Sequence, residues 1–350
     1  MIRRRIRLAA LLLALLIGAG IPDMGGQDAV SPQFMVAAVY LPTWDDRADE
    51  SLARAIGTGA AAEVSPTWAT IHPDGRLALV EPSRAVRKQL DDPGVRVLPV
   101  VQNYVDGEWQ GAATADLLAD PTRAERHRRD LVQAAVRSGW DGLDIDYEQL
   151  PPTAGPAFTD FLAALAADLH ARGLRLSVAV PARTADDDQD GLAYSYREVG
   201  RVADHVRVMT YDHAWSGSEP GSVAPLPWVR QVLRYAVSRI PPSRLMLGLA
   251  TFGYDWGKEG GEDLMAADAQ QLARSVGARP RWDDDTASMT FSYTKGGERH
   301  TVWFEDARSL EAKQRLAIDA GVRGVAVWSL GGEDPRVWAR LVTARRGAER

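Results

Sequence analysis

None of the 350 residues is cysteine, so no disulfide can staple the fold and no thiol is present for lipid attachment. A chain of this length with 45% hydrophobic residues can bury a core that holds without such staples. The six histidines show no metal-ligand spacing. The runs Asp186-Asp187-Asp188 and Asp283-Asp284-Asp285 lack the glycine and terminal glutamate of an EF-hand loop and read as solvated loops. No GxSxG elbow, P-loop or dinucleotide fingerprint stands in a strand-to-helix context. Basic residues, 41 against 47 acidic ones, are scattered or gathered at the two ends, and the net charge of −6 argues against nucleic acid as the main partner. Neither a low-complexity stretch nor an internal repeat beyond strand-helix alternation is present. No cofactor or metal is expected, and the acids are left to carry the chemistry.

They are concentrated in Asp141-Gly142-Leu143-Asp144-Ile145-Asp146-Tyr147-Glu148. In a strand, side chains alternate between faces, so Asp144, Asp146 and Glu148 share one face while Leu143, Ile145 and Tyr147 share the other. Packing gives no reason for such a row. Successive same-face positions lie about 6.7 Å apart, and at an effective dielectric of about 20 two charges there repel by about 2.5 kcal/mol, near two pKa units. At least one of the three is expected to hold a proton near neutral pH, as a general acid for glycosidic cleavage requires.

The octet fits the DxxDxDxE signature and resembles that of glycoside hydrolase family 18, the chitinase-like family, with Asp141, Asp144, Asp146 and Glu148 in its four acidic positions. Val208-Met209-Thr210-Tyr211-Asp212 resembles the family's sixth-strand motif, and Trp328 in Val325-Ala326-Val327-Trp328 its eighth-strand tryptophan. Val302 to Asp306 and Gly324 to Pro335 further resemble the branch of bacterial spore-cortex and peptidoglycan N-acetylglucosaminidases. The resemblance implies retaining hydrolysis of β-linked N-acetylglucosaminides, in chitin-like oligomers or peptidoglycan, with Glu148 as the acid. It also implies that the sugar's 2-acetamido oxygen is the nucleophile, oriented by Asp146 and Tyr211, with Asp144 sharing a proton with Asp146. Asp141 would support the strand and loop. The residues alone leave Asp146 as a direct carboxylate nucleophile open. Met209, Asp212, Trp328, Tyr40 and Tyr254 are candidate sugar-binding residues; Trp68, Asn103, Trp256 and His213 also fall near strand ends. The alternatives are a lectin-like barrel that binds glycan without cutting it, against which the intact Glu148 counts, and an endo-acting enzyme on N-glycans.

Candidate strands at 35–41, 62–68, 95–101, 139–148, 174–180, 205–211, 245–252 and 322–330 number eight, the count that closes a (β/α)8 TIM barrel. Helical stretches at 121–138, 156–172 and 306–320 fall between them. The long connection between strands seven and eight is expected to hold a small α+β insertion at about 256–302, with a helix at 266–276 and a hairpin, 289–293 with 300–304, turning at Gly296-Gly297. The catalytic barrel is therefore expected over 34–345, as a monomer, in this α/β class.

Arg3, Arg4, Arg5 and Arg7 precede the apolar run Leu8 to Ile17 and the small residues Gly18-Ala19-Gly20, the order of a secretory signal peptide or N-terminal anchor at 1–20, followed by a linker at 21–33. The apolar run is short for a membrane span. The expected location is secreted or extracytoplasmic, with tethering if the segment is uncleaved, and no further membrane domain is expected. Cell fractionation checks this expectation: the full-length chain should be found outside the cytoplasm, and recovery only from the cytosol would refute export.

Overall fold

The computed structural model describes residues 36–348, so the expected signal segment at 1–20 and linker at 21–33 lie outside the described residues. Eight strands form a closed parallel ring: β1 (Val36–Leu41), β2 (Ala61–Pro66), β3 (Arg96–Val97 and Val100–Gln102), β4 (Gly142–Asp146), β5 (Arg175–Pro181), β6 (His205–Met209), β7 (Leu245–Ala250) and β8 (Gly324–Trp328), with β8 pairing back onto β1. The third strand is in two pieces because Pro99 has no N–H to donate. The ring still closes there. Leu98 N–H donates to Val64 O at 2.9 Å on one side, and Pro99 O accepts from Asp144 N–H at 2.9 Å on the other.

Helices follow each strand: α1 (Ala48–Gly57), α2 (Arg84–Leu90), α3 (Gly111–Ala119) with α4 (Pro121–Ser138), α5 (Gly155–His170), α6 (Tyr196–Val202), α7 (Leu226–Val237), then α8 (Ala266–Ser275) with α9 (Ala307–Asp319), and α10 (Val337–Ala348). The fold is thus a (β/α)8 barrel. The start and stop signals of α4 show how the sequence sets these boundaries. Asp120 accepts from the Thr122 and Arg123 amides, Pro121 takes the first turn, and Gly139 ends the helix at φ 69°. That left-handed cap corrects the expected strand start at residue 139; β4 begins at Gly142.

Alternation within the strands sorts side chains into two cores. Leu143 and Ile145 of β4 pack outward in one cluster with Phe158, Leu162 and Leu165 of α5, while Ala38, Tyr40, Val100, Met246 and Ala326 fill the inside. The strands stop earlier than the apolar pattern suggests: β4 ends at Asp146, β6 at Met209 and β7 at Ala250. In each case the next residues turn into a loop or a new sheet at the C-terminal rim.

That new sheet is larger than the expected 256–302 insertion. It begins at Phe252, because Phe252 already pairs antiparallel with Met265, and it ends at Phe304. Its five strands, Phe252–Gly257, Gly260–Met265, Arg281–Asp283, Ser288–Lys295 and Glu298–Phe304, are antiparallel, and α8 covers Phe291, Val302 and Phe304. The hairpin turns at Gly296 and Gly297, at φ 61° and 86°, values that favour glycine at both positions. Among the described residues, no helix is long and apolar enough to cross a membrane.

Candidate active site

Asp144 and Asp146 point from β4 into the barrel and are buried, and Glu148 follows two residues beyond the strand end, half-buried at the mouth. Burial pushes the Glu148 carboxyl well up, with the Asp146 and Asp212 charges adding to it. Asp146 rises to about 7, again through burial first and the Asp144 charge second, against a pull downward from Arg207. Asp144 is also raised by burial, with Arg207 opposing. Desolvation therefore outweighs mutual repulsion as the reason the row keeps a proton. One oxygen each of Asp144 and Asp146 is buried without a hydrogen-bond partner.

The turn carrying Glu148 is fixed from several sides. Asn103, fully buried after β3, accepts from the Glu148 N–H at 2.9 Å and donates to the Glu148 carbonyl at 3.0 Å. Thr114 holds the same Asn103 amide at 3.2 Å. The Tyr194 hydroxyl donates to the Tyr147 carbonyl at 2.7 Å and accepts from the Leu150 N–H at 3.2 Å. His127 meets the Tyr147 hydroxyl at 2.6 Å on the helix side. Gly111, at the start of α3, lies so close that a Cβ there would fall 1.8 Å from the Gln149 carbonyl. Asp141, at the other end of β4, accepts from the Val97 N–H at 2.9 Å and joins β4 to β3.

Met209, Tyr211 and Asp212 follow one another around the end of β6, with Asp212 at φ 56°. Tyr211 is pushed up by burial, with Tyr40, Asp146, Glu148 and Asp212 pushing the same way. Tyr254, on the first strand of the inserted sheet, donates to Asp212 at 2.7 Å. Asp212 faces solvent on one side, yet lost hydration against the groove wall lifts it to about 6 in spite of that bond. Trp328 closes β8, with its ring 5.1 Å from Tyr40 in an edge-on contact.

Other candidates fall elsewhere. Trp68 has the strand parity of Val64 and packs in the outer core beside Trp140, 6.4 Å away, so it does not line the barrel mouth. Trp256 is buried beside Tyr254, and His213 rests on Trp228 at 5.0 Å. Asp186 accepts from Tyr235 and pairs with Arg239, and Asp283 caps Thr286, so both acidic runs have structural partners. Among the described residues no group of three or more potential ligands could hold a metal ion.

Three features escape a reading by motif. Trp44, 64% exposed on the loop after β1, stands 6.2 Å from Trp328 and extends the aromatic surface outward. Tyr104, also exposed, lies edge-on to Trp109 at 5.0 Å after β3. Below the row, Arg207 of β6 donates to Asp144 at 2.7 Å, to Ser65 at 2.7 Å and to Glu63, while His205 meets Glu63 at 3.2 Å. All five side chains are buried. The signal was polar residues at alternate positions, Glu63 and Ser65, then His205 and Arg207, inside apolar strands.

The family described as glycosyl hydrolases family 18 matches residues 39–334. The uncharacterized glycosylase YvbX of Bacillus subtilis (strain 168) is 31% identical over 255 residues, 71% of this chain and 74% of its own length. The cortical fragment-lytic enzyme of the same organism is 31% identical over 269 residues, 74% of this chain, and the chain spans only 62% of that relative. Among solved structures, a chitinase from Chromobacterium violaceum superimposes with a TM-score of 0.82 at 30% identity, covering 89% of this chain and 98% of its own.

The geometry around Gly111 yields a test. Gly111→Ala forces the Gln149 carbonyl and the Glu148 turn outward, and a displacement near 1 Å in a reacting group costs about 10²-fold in turnover. Asn103→Ala leaves two backbone groups of Glu148 unpaired, at about 1 to 3 kcal/mol. Steady-state kinetics and thermal melts should show both losses; wild-type turnover in folded Gly111→Ala would contradict the packing described.

Proposed function

The chain belongs to the family 18 glycosyl hydrolases, and from that premise we propose that it is an exported glycosidase that cleaves β-linked N-acetylglucosamine polymers with the sugar's own acetamido group as nucleophile. The observation that carries this reading is Glu148, a carboxyl held in its acid form at the end of a buried acidic row, at the mouth of the barrel. In the proposed sequence Glu148 protonates the glycosidic oxygen as the C1–O bond breaks. The acetamido carbonyl oxygen closes on C1 from the opposite face, giving an oxazolinium ion. Asp146 accepts the acetamido N–H, and the Tyr211 hydroxyl donates to its carbonyl oxygen. Glu148, now a carboxylate, takes a proton from water as that water opens the ring, and the β configuration is restored.

Aromatic faces stack on sugar rings, and Trp328, Tyr40 and Trp44 together offer such a surface beside the acids. Met209 ends β6, and Asp212, held by Tyr254, follows it; both are further candidates to line the groove. The names of the relatives, a cortical fragment-lytic enzyme and a chitinase, support an amino-sugar polymer as the substrate class. Peptidoglycan glycan strands and chitin oligomers both present the required 2-acetamido group.

Incubation with an N-acetylglucosamine oligomer followed by proton NMR is the test. The first product should be the β anomer, while cello-oligomers and deacetylated glucosaminides stay intact. Glu148→Gln should fold, bind the oligomer and lose at least about 10²-fold in turnover. An initial α-anomer product, equal cleavage of cello-oligomers, or near-normal turnover by Glu148→Gln would overturn the reading.

A further inference from the structure

Among the described residues, Arg207 is a cation inside the barrel that the reaction scheme leaves unused. Arg207 lies below the catalytic row and bridges strands distant in sequence, with Asp144 and Ser65 each at 2.7 Å and Glu63 as its third partner. Its guanidinium also faces the Tyr40 ring at 5.0 Å, and Tyr40 in turn packs against Trp328. Arg207 and Glu63 themselves are fully buried beneath the row, out of reach of a sugar at the mouth. We propose that Arg207 is a positioning residue that fixes Asp144 as the permanent anion of the row, with Glu63 as its competing counterion, so that the mobile proton is confined to Asp146 and Glu148.

This inference rests on the acidic row being the catalytic machinery, and it departs from the expectation that Asp144 shares a proton with Asp146. Two of the five guanidinium N–H groups are committed to Asp144 and Ser65, which fixes the orientation of the Asp144 carboxylate as well as its charge. A proton moving onto the free Asp144 oxygen would discharge the partner of that bond and weaken it from a charge-assisted bond to one with a neutral acid. Stability is a poor explanation for the cluster. The attraction between such buried charges is offset by the hydration each ion forfeits on burial.

The charged and titratable groups facing Asp144 are Tyr40 from β1, Glu63 from β2, Asp146 along β4, and His205 and Arg207 from β6; Ser177 stands beside it in β5, and β3, β7 and β8 contribute Val100, Met246 and Ala326. Burial alone would raise Glu63, but the bonds from His205 and Arg207 outweigh it and hold it at about 2. Arg207 pulls Asp144 and Asp146 down, and Glu63 pushes Asp144 up. Removing the cation and removing the counterion must then move the row in opposite directions.

The experiment compares pH profiles of kcat/KM on an N-acetylglucosamine oligomer. Glu63→Gln, an isosteric change, should move the acid limb to lower pH. The double substitution Arg207→Met with Glu63→Gln should move it to higher pH by about one unit, with kcat down at least about tenfold and KM little changed. Arg207→Lys should keep the limb near its wild-type position while lowering kcat. Limbs that stay put in folded Glu63→Gln, or shift the same way in both variants, overturn the proposal. If the double variant does not fold, the sign of the Glu63→Gln shift decides alone. Glu148→Gln run alongside separates the two claims: its activity would overturn the functional reading, whereas an inert Glu148→Gln with unmoved limbs elsewhere overturns only this one.

Discussion

Two carboxyls of β4 and a third just beyond its end are held in the interior and at the mouth of a closed barrel, and the cost of hydrating them poorly shapes everything around them. Charge on Asp144 is tolerated because Arg207 reaches it. Charge on Asp146 is not compensated in the same way, and burial with the Asp144 charge beside it leaves that carboxyl at about 7. Glu148, one step further out, is pushed well up by burial first, with Asp146 and Asp212 adding to it. The gradient along the strand, from clamped anion to held acid, follows from where one guanidinium sits. A parallel barrel makes it possible because inward positions of β2, β4 and β6 meet across a single interior.

The remainder of the site fixes the turn that carries Glu148. Asn103, Tyr194 and the bare backbone face at Gly111 fix the Glu148 turn without touching substrate. The inserted sheet brings Tyr254 against Asp212, so a part of the chain distant from β4 also contributes to the mouth. Trp44 and Trp328 extend an apolar face away from the row, the complement expected of a surface that receives a sugar polymer.

Much of this was legible in the sequence, and the misses have physical causes. Eight apolar runs separated by helical stretches identified the barrel, and the alternation in Leu143 to Glu148 identified the acidic face. Strand ends were overestimated where apolar residues continue past the last ladder bond, as at Phe252, which pairs in the inserted sheet instead. Gly139 was assigned to a strand because a left-handed helix cap leaves no hydrophobic signature. Trp68 was placed near the site by its distance from a strand end, although it shares parity with Val64, so alternation already sends it outward. Arg207 and Glu63 lie 144 positions apart, and no local pattern links them. The alternating polar residues in β2 and β6 were the available clue, but their pairing required the closed ring.

The account depends on where the row keeps its proton, and carbon-detected NMR titration of isotope-labelled side-chain carboxyls in the wild-type protein reads that directly. Asp146 should titrate near 7 and Glu148 should remain protonated through neutral pH, because burial raises both. If both carboxyls lost their protons in the ordinary carboxylate range, near 4, Glu148 would have no proton to give at neutral pH and the account would be contradicted.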